Sequence, residues 1–129
     1  MTHNRKILVV DDDADILAVM ELLFKTKGYD VAAISKGDEV FTTIKTFQPN
    51  LILLDVLISG EDGRDICRQL KEDQQTQHIP VVMFSANAGA EQMISEYGAD
   101  DFIHKPFDVT DLLERIEAHL KKSATLSSN

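Results

Sequence analysis

The chain has 129 residues, 43% apolar and 27% charged, the size and composition of one globular domain with room for a real core. A net charge of -9 argues against nucleic acid and against an anionic membrane surface, since both need clustered Lys and Arg, and suits a divalent cation or a basic partner patch. The single cysteine, Cys67, excludes a disulfide framework, and the short apolar run after Lys6 is too brief for a signal-peptide core or a membrane span, so a cytoplasmic protein is expected.

Ile7-Leu8-Val9-Val10 reads as a strand, and it ends on Asp11-Asp12-Asp13. Ile16, Leu17, Met20, Leu23 and Phe24 then recur at helical period, with Asp13 and Asp15 suited to the helix start and Gly28 to its end. A second strand centres on Val31-Ala32-Ala33-Ile34, and a second helix turns Val40, Phe41, Ile44 and Phe47 inward before Gln48-Pro49 closes it. Leu51-Ile52-Leu53-Leu54 is an unbroken apolar run, expected of a central parallel strand covered on both faces, and it ends on Asp55. The loop through Ser59, Gly60 and Gly63 leads to a helix with Ile66, Cys67 and Leu70 on one face, where Cys67 is a small buried hydrophobe.

Pro80-Val81-Val82-Met83-Phe84 is a further buried strand, ending on Ser85. Residues 88–97 carry the thinnest apolar stripe, Met93, Ile94 and Tyr97, and are expected to form the most mobile helix. A last strand ends at Lys105-Pro106, and a final helix starts near Asp108 with Val109, Leu112, Leu113, Ile116 and Leu120 inward. Five β-α units of this length predict a parallel, doubly wound α/β sheet in the flavodoxin-like order 2-1-3-4-5. The domain is expected over 5–122, with 1–4 and 123–129 as short flexible termini.

Ligands of such folds bind beyond the carboxyl ends of the strands, where strand order reverses. Those ends deliver Asp11 and Asp12, Asp55, Ser85 and Lys105 to one crevice. Singly, each has a plainer reading: an acid starting a helix, a turn serine, a surface lysine. Four strands of five ending in the required type favour the joint reading. Three close carboxylates need a counter-charge, and hard oxygen donors suit Mg2+. With a hydroxyl and an ammonium beside them, they form a phosphoryl-transfer site in which Asp55 is the nucleophile.

The segments Val9-Val10-Asp11-Asp12-Asp13, Leu53-Leu54-Asp55, Asp62-Gly63, Ser85-Ala86 and Gly98-Ala99-Asp100-Asp101-Phe102-Ile103-His104-Lys105-Pro106-Phe107 resemble a CheY-like receiver domain of a two-component response regulator. The resemblance implies that Asp55 accepts a phosphoryl group from a histidine kinase or phosphorelay protein. It implies Mg2+ (or Mn2+) held by Asp12, Asp55 and the backbone carbonyl of Leu57, with Asp11 acting mainly through water. Ser85 and Lys105 would bind the phosphoryl oxygens, Ser85 and Phe102 would switch, and the Lys105-Pro106 bond would be cis. A downstream protein would read the face made of the fourth helix, fifth strand and fifth helix. On this reading the protein is a signalling switch that catalyses only its own phosphorylation and dephosphorylation. With no output domain in the sequence it would be a stand-alone receiver, unless the chain is a piece of a longer one.

Ile58 and Ser59 stand where the family has Met-Pro, which should loosen that loop. Apolar Leu57, with Asn87, flanks the approach of an attacking water and predicts slow hydrolysis of the phosphorylated form. Two rival readings share parts of this pattern. A haloacid-dehalogenase-like phosphatase would use Asp11 as nucleophile, but the chain lacks a cap and has its later Asp pair on the wrong side of the lysine. A flavodoxin would need a Ser/Thr-rich phosphate loop where this chain has three acids.

Overall fold

The computed structural model describes residues 5–58, 60–86 and 94–127. In chain order the elements are β1 (Lys6–Val10), α1 (Ala14–Thr26), β2 (Asp30–Ile34), α2 (Val40–Phe47), β3 (Leu51–Asp55), β4 (Leu57–Ile58), β5 (Glu61–Asp62), α3 (Gly63–Glu72), β6 (Val81–Ser85), β7 (Asp101–His104) and α4 (Val109–Ser127). Five of the strands form one parallel sheet in the order β2-β1-β3-β6-β7, which is the expected 2-1-3-4-5 once the short β4–β5 pair is set aside.

Alternation along each strand divides the core between the two faces of the sheet. Leu8, Val10, Ile52, Leu54, Val81 and Met83 face α2 and α3, where they meet Val40, Ile44, Ile66, Cys67 and Leu70. Ile7, Val9, Leu51, Leu53, Val82 and Phe84 face α1 and α4, and pack on Met20, Phe24, Leu112, Ile116 and Leu120. Every residue of β3 is buried, as its unbroken apolar run requires of the middle strand. Cys67 is fully buried, and burial pushes its thiol up to about 11, so it behaves as the small hydrophobe expected.

The helix ends follow local chemistry. Asp13 caps α1 by accepting from the N–H groups of Asp15 (2.9 Å) and Ile16 (3.4 Å). Gly28, at φ 91°, reverses the chain after α1. Gln48 takes a left-handed conformation, φ 53°, and donates to the Ile44 carbonyl before Pro49 stops α2. Asp62 caps α3 through the Arg64 N–H at 2.9 Å.

Three expectations need correcting or limiting. Val109 is 45% exposed rather than inward, because it opens α4 before the helix reaches the sheet. The last helix runs to Ser127, past the expected boundary at 122. Of the helix expected over 88–97, Ile94–Tyr97 is a turn of 3-10 helix and the rest lies outside the described residues, as do Asn87 and Ser59. Among the described residues, no helix is long and apolar enough to cross a membrane.

Candidate functional site

The strand ends that close the sheet converge at one crevice. Asp11 directly follows β1, is fully buried, and has its N–H bound to the Ile34 carbonyl at the end of β2. Asp55 ends β3 with 6% of its surface exposed, and Asp12 stands outward in solvent. One carboxylate oxygen from each of the three lies within 4.8 Å of the others. Such a set of hard, closely spaced donors, one of them solvent-facing, fits a small divalent cation that keeps part of its water.

Lys105 crosses from the end of β7. Its backbone N–H donates to the Ser85 carbonyl (2.9 Å), and its Nζ donates to Asp11 Oδ2 at 2.8 Å and to Asp55 Oδ2 at 3.2 Å. The ammonium also lies 4.6 Å from the centre of the Phe84 ring. The Lys105-Pro106 bond is cis, as the resemblance implied. The other acid oxygens are held by backbone: Asp11 Oδ1 accepts from Asp13 N–H at 2.9 Å, and Asp55 Oδ1 from Leu57 N–H at 3.3 Å. Ser85 closes β6, buried, one residue beyond the Phe84 that pairs with Asp55.

The electrostatics follow from this packing. Burial, then the neighbouring Asp11 charge, pushes Asp55 up to about 6 from 3.8, while Lys105 and the Leu57 N–H pull the other way. For Lys105, burial opposes the charge, but the hydrogen bond to Asp11 and the two carboxylates outweigh it and hold the ammonium above its ordinary value. The crevice therefore contains an ionisable oxygen acceptor and a cation held by two carboxylates, with buried Ser85 closing the neighbouring strand, a set suited to binding and transferring an anionic group.

Leu57, 61% exposed, stands with Asp12, Ile58, Gly60, Glu61 and Asp62 around a shallow hollow beside the acids. The residues flanking this turn pair in a short antiparallel ladder, Leu57 opposite Asp62 and Ile58 opposite Glu61, and Ile58 is buried in the core. Phe102 is only 5% exposed and packs in the core toward α2 and α3, its ring edge-on to His104 with centroids 4.9 Å apart. On the expected partner face, Arg115 of α4 binds Asp101 (2.9 Å) and the Phe102 carbonyl (3.2 Å), and His119 lies 3.0 Å from the same Asp101.

Two contributors escaped sequence reasoning. A Cβ on Gly63 would overlap the Asp55 backbone carbonyl, and the Gly63 N–H donates to Val56 O at 2.7 Å, so glycine there lets α3 start against the strand that carries Asp55. Its signals were a place in a glycine-containing loop and the Asp62-Gly63 segment of the resemblance, neither of which marks a close approach to Asp55. Phe84 was legible as core, but nothing local marked its ring as the neighbour of Lys105.

A family model described as the response regulator receiver domain matches residues 7–117. The DNA-binding response regulator MtrA of Mycobacterium tuberculosis is 36% identical over 124 residues, 95% of this chain and 53% of MtrA. The chain thus spans about half the length of such relatives, and the stand-alone expectation finds no support in them. Their DNA-binding name also limits the charge argument against nucleic acid to this domain. A putative response regulator from Chloroflexus aurantiacus has a TM-score of 0.87 at 29% identity, covering 92% of this chain and 99% of that one. A CheY-like receiver domain protein from Methanospirillum hungatei has a TM-score of 0.88 at 26% identity, covering 95% and 98%. Neither the phosphatase nor the flavodoxin alternative survives a match over this much of the sequence: the chain belongs to the response regulator receiver domain family.

Proposed function

We propose that this domain takes a phosphoryl group onto Asp55 from a phosphohistidine of a kinase or relay protein in the cytoplasm, and that the phosphorylated form changes what its surface binds. The observation that carries the reading is the convergence of Asp11, Asp12, Asp55 and Lys105, with Lys105 Nζ 3.2 Å from Asp55 Oδ2.

In the transfer, an Asp55 carboxylate oxygen attacks phosphorus. A P–O bond forms, the P–N bond to the donor imidazole breaks, and the imidazole leaves with the bonding electrons. Asp11, Asp12, Asp55 and the backbone carbonyl of Leu57 would hold Mg2+ (or Mn2+), Asp11 mainly through water. Bound there, the ion supplies positive charge for the phosphoryl oxygens. Lys105 and the Ser85 hydroxyl bind those oxygens from the β6–β7 side. An added phosphoryl brings about two negative charges. Drawing Ser85 and Lys105 toward it shifts an existing equilibrium, with Phe102 as the ring that reports the state to β7 and α4. The partner is read through that face. The domain is a switch that catalyses only its own phosphorylation and dephosphorylation. An output on DNA, as named for MtrA, would be made outside the acidic receiver surface.

The test is incubation with acetyl phosphate and Mg2+, followed by intact-mass measurement and location of the modified residue. The wild type gains one phosphoryl group at Asp55, and Asp55→Asn gains none. Equal labelling of the Asn variant, or modification at Asp11, sinks the reading.

A further inference from the structure

We propose that Phe84 is a positioning residue for this transfer, the face of its ring fixing the Lys105 ammonium beside Asp55. The inference rests on the reading of Asp55 as phosphoryl acceptor and adds to it the group that sets where the cation stands.

Phe84 is the penultimate residue of β6, pairs in register with Asp55, and accepts the Val56 N–H through its carbonyl at 3.1 Å. Its side chain is fully buried in the core toward α1 and α4, so the ring is held by packing and does not follow the lysine. Lys105 arrives from the neighbouring strand on a flexible four-carbon stem. Its two carboxylate partners can be reached by many arrangements of that stem. The ring is the third contact: Nζ stands 4.6 Å from its centroid, within the range where the negative face of an aromatic ring attracts a cation. The Lys105 side chain is 16% exposed, so water competes weakly for the ammonium and the attraction is stronger than at an open surface. Three anchors, Asp11, Asp55 and the ring, define one position for Nζ. That position lies within hydrogen-bond reach of the Asp55 oxygen that would carry phosphorus. An aliphatic residue at 84 would fill the space and supply no attraction. The rate of transfer therefore depends on the electron density of the ring, not on its volume.

Fluorination separates these two properties, because it drains the ring face with little change in size. Phe84 in the full chain is replaced by mono-, di- and trifluorinated phenylalanine, and the rate of Asp55 labelling by acetyl phosphate with Mg2+ is followed by mass. The expected result is a stepwise fall, roughly two- to thirtyfold over the series, the rate equivalent of a partly desolvated cation–π contact. In a Lys105→Met background the same fluorines leave the rate unchanged. A second readout needs neither metal nor turnover: denaturant unfolding of Phe84→Leu, Lys105→Met and the double variant should give effects that do not add. A rate indifferent to fluorine while wild type is labelled at Asp55, or an additive unfolding cycle, overturns the role of Phe84 and leaves the acceptor assignment standing. A wild type that takes no label at Asp55 overturns both.

Discussion

Replacing Asp55 with Asn should make the metal-free protein more stable at neutral pH, even though it removes the acceptor. In the folded state Asp55 is 6% exposed and its pKa is pushed up from 3.8 to about 6, first by burial and then by Asp11. A carboxyl with a raised folded-state pKa favours folding fully only while protonated. Its contribution is complete below the unfolded value and is lost as pH rises through about 6. A rise from 3.8 to about 6 corresponds to roughly 3 kcal/mol. Asn mimics the neutral carboxyl and escapes that loss. Its advantage over wild type should be near zero at pH 4, grow through the window from 4 to 6, and level off above pH 7 at about 1–3 kcal/mol. Urea unfolding in the presence of a chelator, at intervals across that range, measures the difference directly. Saturating Mg2+ should then narrow or reverse the gap, because an ion bound only by the folded wild type stabilises it by mass action. A difference independent of pH, or one that grows toward acid, would refute the electrostatic account of the crevice.

Other outcomes follow from the same geometry. Mg2+ at about 100 times its dissociation constant should stabilise the wild type by about 2.7 kcal/mol, and Asp12→Asn should abolish most of that gain in a thermal melt. Leu57→Asn places a polar group beside Asp55 and should shorten the lifetime of the phosphorylated protein roughly fivefold, one hydrogen bond's worth of barrier, read from the decay of the labelled mass. An unchanged decay would mean that Leu57 does not gate the water. Gly63→Ala drives a Cβ into the Asp55 carbonyl and should cost about 1–3 kcal/mol of stability in urea while slowing labelling of Asp55. Wild-type stability in that variant would show that α3 yields without disturbing β3.

The sheet and its order were legible because each strand carried its own signal. Leu51–Asp55 read as a strand buried on both faces, and it is. The convergence of Asp11, Asp12, Asp55 and Lys105 was legible for a related reason: an open α/β sheet collects whatever ends its strands, so position along the chain predicted proximity in space. What the sequence hid depends on cross-strand geometry or on elements too short to have a period. Two residues cannot display alternation, so the β4–β5 ladder and the burial of Ile58 were invisible. Val109 fits the apolar stripe of α4, but a stripe does not say at which turn the helix meets the sheet. Gly63 looked like a turn residue because close approach to another strand's carbonyl leaves no local mark. The ring of Phe84 was hidden in the same way, since its neighbour Lys105 comes from a different strand.

Magnitudes tie the crevice to switching. Moving a two-state equilibrium from 1:99 to 99:1 requires a differential of about 5.5 kcal/mol. In the proposed switch a phosphoryl group gains two contacts to Ser85 and Lys105, and hydrogen bonds involving charged groups are worth roughly 1.5–3 kcal/mol each. Two such contacts span about the required range, whereas one falls short. Lys105 already binds Asp11 and Asp55, so its contribution is the difference between those partners and the phosphoryl oxygens, which lies toward the lower end. Ser85 must then carry the larger share, near the top of that range, and together the two contacts supply most of the differential of about 5.5 kcal/mol without completing it. Ser85 is buried at the end of the strand whose carbonyl holds the Lys105 backbone, so a pull on its hydroxyl and a pull on the ammonium move the same β6–β7 junction. Phe102 and Arg115 meet at β7, where the Phe102 ring packs toward α2 and α3 while its carbonyl accepts from Arg115 of α4, so in the proposed switch a shift of that junction would be felt on both faces of the sheet at its β7 edge.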